Sequence, residues 1–110
     1  MSDKVLIIIA TSDHGKAQTG VTYAMRTMQE GWMGEVKLIF FGPGQNVLLE
    51  NKAIQDMVKV IGEAEKPLVC KRIADSVDQT KDYEALGVDV VYVGKVISDL
   101  IKDGYVPMVW

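Results

Sequence analysis

The sequence predicts an α/β domain in which a parallel sheet carries helices on both faces. Five apolar segments alternate with segments of helical periodicity, the pattern expected of strands joined by helical crossovers. The first segment, from Lys4 to Ala10, is an unbroken and largely β-branched run, typical of a strand covered on both faces. A chain of 110 residues supports one core, so residues 1–110 are expected to form a single domain.

Four further strands are predicted from apolar runs that end at turn-forming residues. They cover residues 36–41, 67–70, 88–93 and 105–110. The strand at residues 36–41 ends at the Gly42-Pro43-Gly44 turn, and the strand at residues 88–93 ends at Gly94. Pro107 lies inside the fifth run, and because proline has no N–H to donate, this segment is expected to be an edge strand or a bulged one.

Helices are predicted from apolar residues that recur at spacings of three and four. The first covers about residues 16–29, where Ala17, Val21, Ala24 and Met28 form one apolar face. The second lies over residues 53–61, before Gly62, and the third over residues 96–101, with Gly104 as its C′ glycine. Residues 71–86 are less regular and predict a helix that is broken around residues 76–79.

Composition excludes several classes of function. The hydrophobic fraction of 48% and the charged fraction of 25% are globular values, and a formal charge of -3 provides no basic face for nucleic acid. The first apolar run is too short to span a membrane, and behind Asp3 and Lys4 it makes a poor signal peptide. One cysteine and no export signal predict a cytoplasmic protein without nucleic-acid or membrane partners.

Right-handed crossovers place the strand-to-helix loops at one edge of the sheet, where a site is expected. Three loops should meet there, at residues 11–16, at residues 42–45 and at Cys70. If strands one, two and three are adjacent in that order, the first and third strand ends lie about 10 Å apart. Side chains from both loops could then reach across that gap.

Cys70 is the leading candidate for a functional residue. It closes the third strand and is followed by Lys71 and Arg72, which are themselves candidate binding residues. The start of a helix and two adjacent cations both favour thiolate over thiol, the form that attacks sulfur and carbon electrophiles. The alternative is that Cys70 is a small apolar filler, since cysteine is among the most buried residue types. The residues alone leave both interpretations open.

Three other loop residues are weaker candidates for ligand binding. His14, the only histidine, is either a solvated loop residue or a proton donor, acceptor or ligand contact near the sulfur. Gly42 and Gly44 either form a turn or leave a stretch of backbone without side chains, over which a ligand or a protein tail can approach Cys70. One histidine and one cysteine are too few for a metal site, and the first loop matches no phosphate or dinucleotide motif, so no cofactor is expected.

The chain resembles the DsrE/DsrF-like family, which includes the sulfur-relay subunits DsrE and TusD. The resemblance covers essentially the whole length and is carried by diffuse features. These are Val5 to Gly20, Phe40-Phe41-Gly42 followed by Asn46 to Leu49, Leu68-Val69-Cys70 opening a helix, Gly87 to Gly94, and Gly104-Tyr105. The charged stretch from Lys71 to Glu84 departs from the relay subunits, which have a more apolar turn after the cysteine.

The resemblance implies a three-layer α/β/α sandwich with a mainly parallel five-stranded sheet, assembled as a homotrimer or homohexamer. It implies that Cys70 accepts sulfane sulfur from a donor as a persulfide and passes it to an acceptor protein, and it assigns no catalytic role to His14. The apolar segment at residues 105–110 also favours assembly, because it needs cover from its own domain or from a neighbouring subunit. Two functions follow: a sulfur carrier or sulfurtransferase subunit, or a non-catalytic homo-oligomeric binding or assembly protein in which Cys70 is structural.

Overall fold

The computed structural model describes residues 2–110, which form five strands and six helices. The strands are β1 (Lys4–Ile9), β2 (Glu35–Phe40), β3 (Leu68–Cys70), β4 (Asp89–Val91) and β5 (Val106–Val109). The helices are α1 (His14–Glu30), α2 (Pro43–Glu50), α3 (Lys52–Ala64), α4 (Lys71–Ser76), α5 (Thr80–Ala85) and α6 (Val93–Lys102). Over this range no helix has the length and apolar character needed to cross a membrane.

The five strands form one parallel sheet in the order β4-β3-β2-β1-β5. The interior strand β1 pairs with β2 on one side and with the edge strand β5 on the other, so that Ile7 lies opposite both Leu38 and Met108. Helices cover both faces, and the predicted α/β sandwich is therefore confirmed.

Each face of the sheet has its own apolar core, because side chains alternate along the strands. Val5, Ile7 and Ile9 pack on the first face with α1, α2 and α3, which contact one another. Leu6 and Ile8 lie on the second face, which α6 covers, with Ile73 of α4 also packed against it.

The chain reverses its direction along the sheet after β4. The crossovers from β1 to β2, from β2 to β3 and from β3 to β4 all run the same way, and the last of them buries Ala74 and Tyr83 in the first core. Helix α6 then runs back across the second face to reach β5 at the opposite edge. The chain segments that follow β3 and β4 therefore leave toward opposite faces, which makes the β3–β4 boundary the topological switch point.

A helix begins where the sequence predicted only a turn. Helix α2 starts at Pro43, and Gly42 is its N-cap with a φ of 66°, a left-handed conformation that glycine adopts without strain. Gly44 is buried, and a Cβ built there would overlap the carbonyl oxygen of Ile9. The two glycines thus let α2 pack against the end of β1.

Several predicted boundaries shift. Strand β4 ends at Val91 and α6 begins at Val93, so Val93 and Gly94 belong to the helix rather than to the strand and its stop. Gly62 lies inside α3 and does not end it. The predicted break between residues 76 and 79 is confirmed, because α4 ends at Ser76 and α5 begins at Thr80.

The end of α6 confirms the role predicted for Gly104. Its φ is 94°, its N–H donates to the carbonyl of Ile101 at 3.1 Å, and the N–H of Tyr105 donates to the carbonyl of Leu100 at 3.0 Å. This pair of hydrogen bonds is the Schellman motif, which satisfies two of the last carbonyls of the helix.

Strand β5 is an edge strand, as Pro107 predicted. The N–H of Trp110 donates to Ile8 at 2.8 Å and its carbonyl accepts from Ala10 at 2.9 Å, so the backbone of Trp110 faces β1. Alternation along the strand turns the backbone of Pro107 and Val109 outward. Proline therefore removes an N–H from the open edge, which weakens the edge as a template for another strand.

Candidate functional site

A cleft opens at the β3–β4 switch point, beside the carboxyl ends of both strands. Its volume is about 370 Å³. It is lined by Phe41, Cys70, Arg72, Ile73, Tyr92, Val93, Gly94 and Lys95. These residues come from the chain that follows β2, from the β3–α4 junction and from the start of α6, so the walls are built by the segments that leave the carboxyl ends of three adjacent strands.

Cys70 lies between the second core and this cleft. Leu68 and Cys70 face α6 while Val69 faces the first core, because side chains alternate along β3. The residue is only 6% exposed, yet it belongs to the lining of the cleft. Cys70 is therefore covered on most sides, and the cleft is the opening that borders it.

The helix that follows Cys70 is short. Helix α4 has 6 residues, less than two turns, so it contributes little of the helix-end electrostatics expected from sequence. The cations around the cleft are a stronger feature of the site.

Three basic side chains surround the cleft. Arg72 and Lys95 line it, and Lys71 lies over the ring of Tyr92, with Nζ 6.0 Å from the ring centroid. Lys71 and Lys95 form ion pairs with the carboxylates four residues later, at 2.8 Å to Asp75 and 2.9 Å to Asp99. Arg72 forms no ion pair with any residue from 2 to 110.

The two carboxylates lie outside the cleft, whose lining contains no acidic side chain. The hydrogen bond from Lys71 lowers the pKa of Asp75, as does a second hydrogen bond from Thr80 at 2.5 Å. The hydrogen bond from Lys95 likewise lowers the pKa of Asp99, and the hydrogen bond to Asp75 raises the pKa of Lys71. The lining of the cleft therefore contains two cationic side chains, Arg72 and Lys95, and no carboxylate.

Gln45 supports the site through a hydrogen bond to the backbone of Cys70, and it was not identified from the sequence. Its side chain is fully buried, and Nε2 donates to the carbonyl of Cys70 at 3.3 Å. The buried residues of α2 otherwise form an apolar stripe, with Val47 and Leu48 beside the small Gly44. A glutamine within such a stripe was the signal that could have found it, because buried amides are kept for hydrogen bonds.

The structure does not bring His14 to the cleft. It is exposed at the first position of α1, and its Nδ1 lies 3.1 Å from Nδ2 of Asn51. Asn51 also caps α3, since its Oδ1 accepts from the N–H of Ile54 at 3.0 Å. The contact of His14 thus lies at the α2–α3 junction rather than in the cleft.

Of the residues chosen from sequence, Cys70 and Arg72 line the cleft, and Lys71 adjoins it through Tyr92. Gly42 and Gly44 are at the start of α2 and are not part of the lining. Tyr92 and Lys95 were missed because the prediction considered only the loops after the first three strands. Finding them required the strand order, which shows that the loop after β4 meets the loop after β3.

A larger depression of about 540 Å³ follows an exposed stripe of α1 from Gly15 to Arg26 and ends at Trp32. It is shallow, and its one charged residue, Arg26, pairs with Glu30 at 3.4 Å. It contains no nucleophilic thiol and does not lie at the switch point. The β3–β4 cleft is therefore the stronger candidate.

Within residues 2–110, no three His, Cys, Asp or Glu side chains come close enough together to hold a metal ion.

Comparison with known proteins supports the fold and leaves the activity open. No family model matches the chain. No curated protein matches it either. A solved structure of a conserved protein of unknown function from Bacteroides thetaiotaomicron superposes with a TM-score of 0.83, at 17% sequence identity, over 98% of this chain and 96% of the other. At that identity the similarity establishes a shared α/β architecture along the whole chain.

Proposed function

We propose that this protein is a sulfur carrier or sulfurtransferase subunit that holds sulfane sulfur as a persulfide on Cys70. The observation that supports this most directly is the position of its single cysteine, in a cleft at the β3–β4 switch point. Open α/β sheets bind their ligands in that crevice. A nucleophilic side chain there meets whatever the cleft binds.

The chemistry requires only the Cys70 thiolate. It attacks the sulfane sulfur of the donor, a new S–S bond forms, and the former partner of that sulfur leaves with the electron pair. An acceptor thiolate then attacks the outer sulfur of the persulfide, and Cys70 leaves as the thiolate. Phe41, Ile73 and Val93 provide an apolar wall that shelters the persulfide between the two steps.

The deep position of the thiol fits a carrier. An S–S bond adds about 2 Å beyond the cysteine sulfur, so the transferable atom extends from a covered position into the open cleft. The sulfur atom of the cysteine itself remains protected, and the outer sulfur is the one presented to an acceptor protein.

We propose further that the protein works in the cytoplasm as a homotrimer or homohexamer that exchanges sulfur with donor and acceptor proteins. Strand β5 favours assembly, because all four of its residues are apolar and exposed, with Val109 at 65% and Val106 at 53%. Sedimentation of dilute protein tests this directly, since a strict monomer contradicts it.

The second candidate is a non-catalytic binding or assembly protein of the same oligomeric form, with Cys70 as a structural residue. The low exposure of Cys70 favours it. The two functions differ in whether the folded protein accepts sulfur at this position.

Intact mass measured after incubation with polysulfide separates them. A sulfur carrier gains the mass of one sulfur atom, loses it again on treatment with dithiothreitol, and gains nothing when Cys70→Ser is used. The urea-unfolded chain, incubated in the same way, controls for the chemical integrity of the thiol. An adduct on the unfolded chain with none on the folded protein supports the structural role instead.

A further inference from the structure

The cleft beside Cys70 combines a small volume with a positive rim. We propose that it is a binding site for small oxyanions and that an anion of the thiosulfate class, in place of a donor protein, supplies its sulfur. The binding part of this inference stands on the cleft alone, whereas the transfer step rests on the function proposed above.

Size favours a small molecule as the occupant. A volume of about 370 Å³ is at the lower end of the range for small-molecule pockets and is too small for a folded partner to enter. Since Cys70 is only 6% exposed, the donor must carry its sulfane sulfur into the cleft.

Charge favours an anion. The chain as a whole carries a net charge of -3, yet the cleft is lined by Arg72 and Lys95 and by no carboxylate. These two cations come from different helices, α4 and α6, so they approach a ligand from two directions. Arg72 is without an ion-pair partner in the described chain, and a guanidinium binds oxyanions through two parallel N–H groups.

Lys95 can bind an anion together with Arg72 at a small cost in folding free energy. Its ion pair with Asp99 is an exposed pair between residues four apart on α6, with side-chain exposures of 81% and 56%. Such pairs contribute little to stability, so the ammonium can turn from Asp99 to a ligand in the cleft. The first residues of α6 border the same cleft, and no side chain caps their N–H groups.

Thiosulfate matches both the cations at the rim of this cleft and the thiol of Cys70 beside it. Its sulfonate oxygens suit the cations at the rim, and its sulfane sulfur can then point toward Cys70. The thiolate attacks the sulfane sulfur, the S–S bond of thiosulfate breaks, and sulfite leaves with the electron pair. Charge is conserved, because the thiolate charge moves to the outer sulfur of the persulfide and one dianion replaces another. The cations that bind the donor also stabilise the charge that develops on sulfite.

Binding is tested first without transfer. Calorimetric titration of the Cys70→Ser protein with thiosulfate, and with sulfate as an analogue that carries no sulfane sulfur, should show saturable binding of both. The double variant Arg72→Gln/Lys95→Gln, made in the same background, should lose about tenfold or more in affinity. The matched control, Arg26→Gln/Lys102→Gln, removes the same two kinds of charge from α1 and from the far end of α6, and should bind as before.

A second readout uses the thiol and does not depend on sulfur transfer. The ratio of the alkylation rate with iodoacetate to that with neutral iodoacetamide reports the potential at Cys70. This ratio should fall in Arg72→Gln/Lys95→Gln and stay constant in Arg26→Gln/Lys102→Gln. Sulfate should slow alkylation of the unsubstituted protein.

The failures of the two proposals are distinguishable. Absence of thiosulfate and sulfate binding, or binding that survives loss of Arg72 and Lys95, overturns the anion site, even if polysulfide still loads Cys70. Anion binding without a persulfide from any donor supports the anion site and overturns the carrier function.

Discussion

The side-chain amide of Gln45 donates a hydrogen bond to the backbone carbonyl of Cys70, with 3.3 Å between nitrogen and oxygen. Strand β2 ends at Phe40, so no further β2 residue pairs with the end of β3. Helix α2 brings Gln45 to that position, and its side-chain amide donates the hydrogen bond that a further β2 residue would otherwise donate. The residue that carries the nucleophile is thus held in place by the element that follows the adjacent strand.

Gln45→Leu should destabilise the fold and disturb the site together. The change keeps the approximate volume and leaves the Cys70 carbonyl without its partner, which costs about 1–3 kcal/mol. It also removes Oε1, which has no hydrogen-bond partner among the described atoms, and this offsets part of the loss. Urea unfolding measures the first effect, and the rate of Cys70 alkylation by iodoacetamide measures the second.

Gln55→Leu is the matched control for this prediction. Gln55 also donates from Nε2 to backbone carbonyls, those of Leu48 at 2.9 Å and Leu49 at 3.1 Å, but these lie at the end of α2. It should lower stability and leave the alkylation rate unchanged. Equal alkylation rates in the two variants contradict a positioning role for Gln45.

Gly44→Ala should be strongly destabilising. The added Cβ overlaps the carbonyl oxygen of Ile9, and this neighbour is main chain in an interior strand of the sheet. Overpacking of this kind costs about 1–3 kcal/mol. Gly62→Ala, inside α3 with no atom within 4 Å of its Cβ, should instead stabilise by about 0.5–1 kcal/mol. Denaturant midpoints compare the two, and an unchanged midpoint in Gly44→Ala means that α2 packs less closely on β1 than in this structure.

Predictions of the fold from sequence succeeded where one local pattern decided the outcome. The β-branched run at residues 4–10 predicted a strand covered on both faces, which is β1, and Gly104 predicted the end of α6. Pro107 predicted the edge strand, because its missing N–H is tolerated at a sheet boundary. Each of these outcomes depends on residues that are close together in the chain.

The site was harder to predict because it depends on strand order. Cys70 and Arg72 were chosen from local features, whereas Tyr92 and Lys95 reach the cleft only because β4 pairs with β3. The contribution of Gln45 depends on α2, a helix that was not predicted because Gly42-Pro43-Gly44 is typical of a turn. These contacts between distant residues leave no periodic signal in the sequence.

Gly94→Phe should close the cleft. Gly94 lines it, and a Cβ built there meets no atom within 4 Å, so a larger side chain can be added without a clash. Alkylation of Cys70 by iodoacetamide should slow about tenfold or more, because access limits the reaction of a covered thiol. Gly62→Phe, equally open but on α3, should leave the rate unchanged. An unchanged rate in Gly94→Phe means that reagents reach the sulfur by another route.

Tyr105 should make the protein sensitive to alkali. Burial, followed by its hydrogen bond to Glu35 and the charge of that carboxylate, raises the pKa of Tyr105 to about 12. Its hydroxyl donates to Oε1 of Glu35 at 3.2 Å, and the ammonium of Lys4 lies 5.6 Å from its ring centroid. Since the folded pKa exceeds the unfolded value of about 10, this contribution to stability is complete below pH 10 and is lost as the pH rises toward 12.

Urea midpoints measured at pH values from 8 to 11.5 test this, and Tyr105→Phe should flatten the alkaline decline by removing the titrating hydroxyl. Tyr92→Phe is the matched control, because Tyr92 is 58% exposed and should leave the decline unchanged. Absorbance at 295 nm should also show one tyrosine that ionises above the others in the folded protein and is absent from Tyr105→Phe. A decline of the same slope in Tyr105→Phe and the unsubstituted protein places its origin elsewhere in the chain.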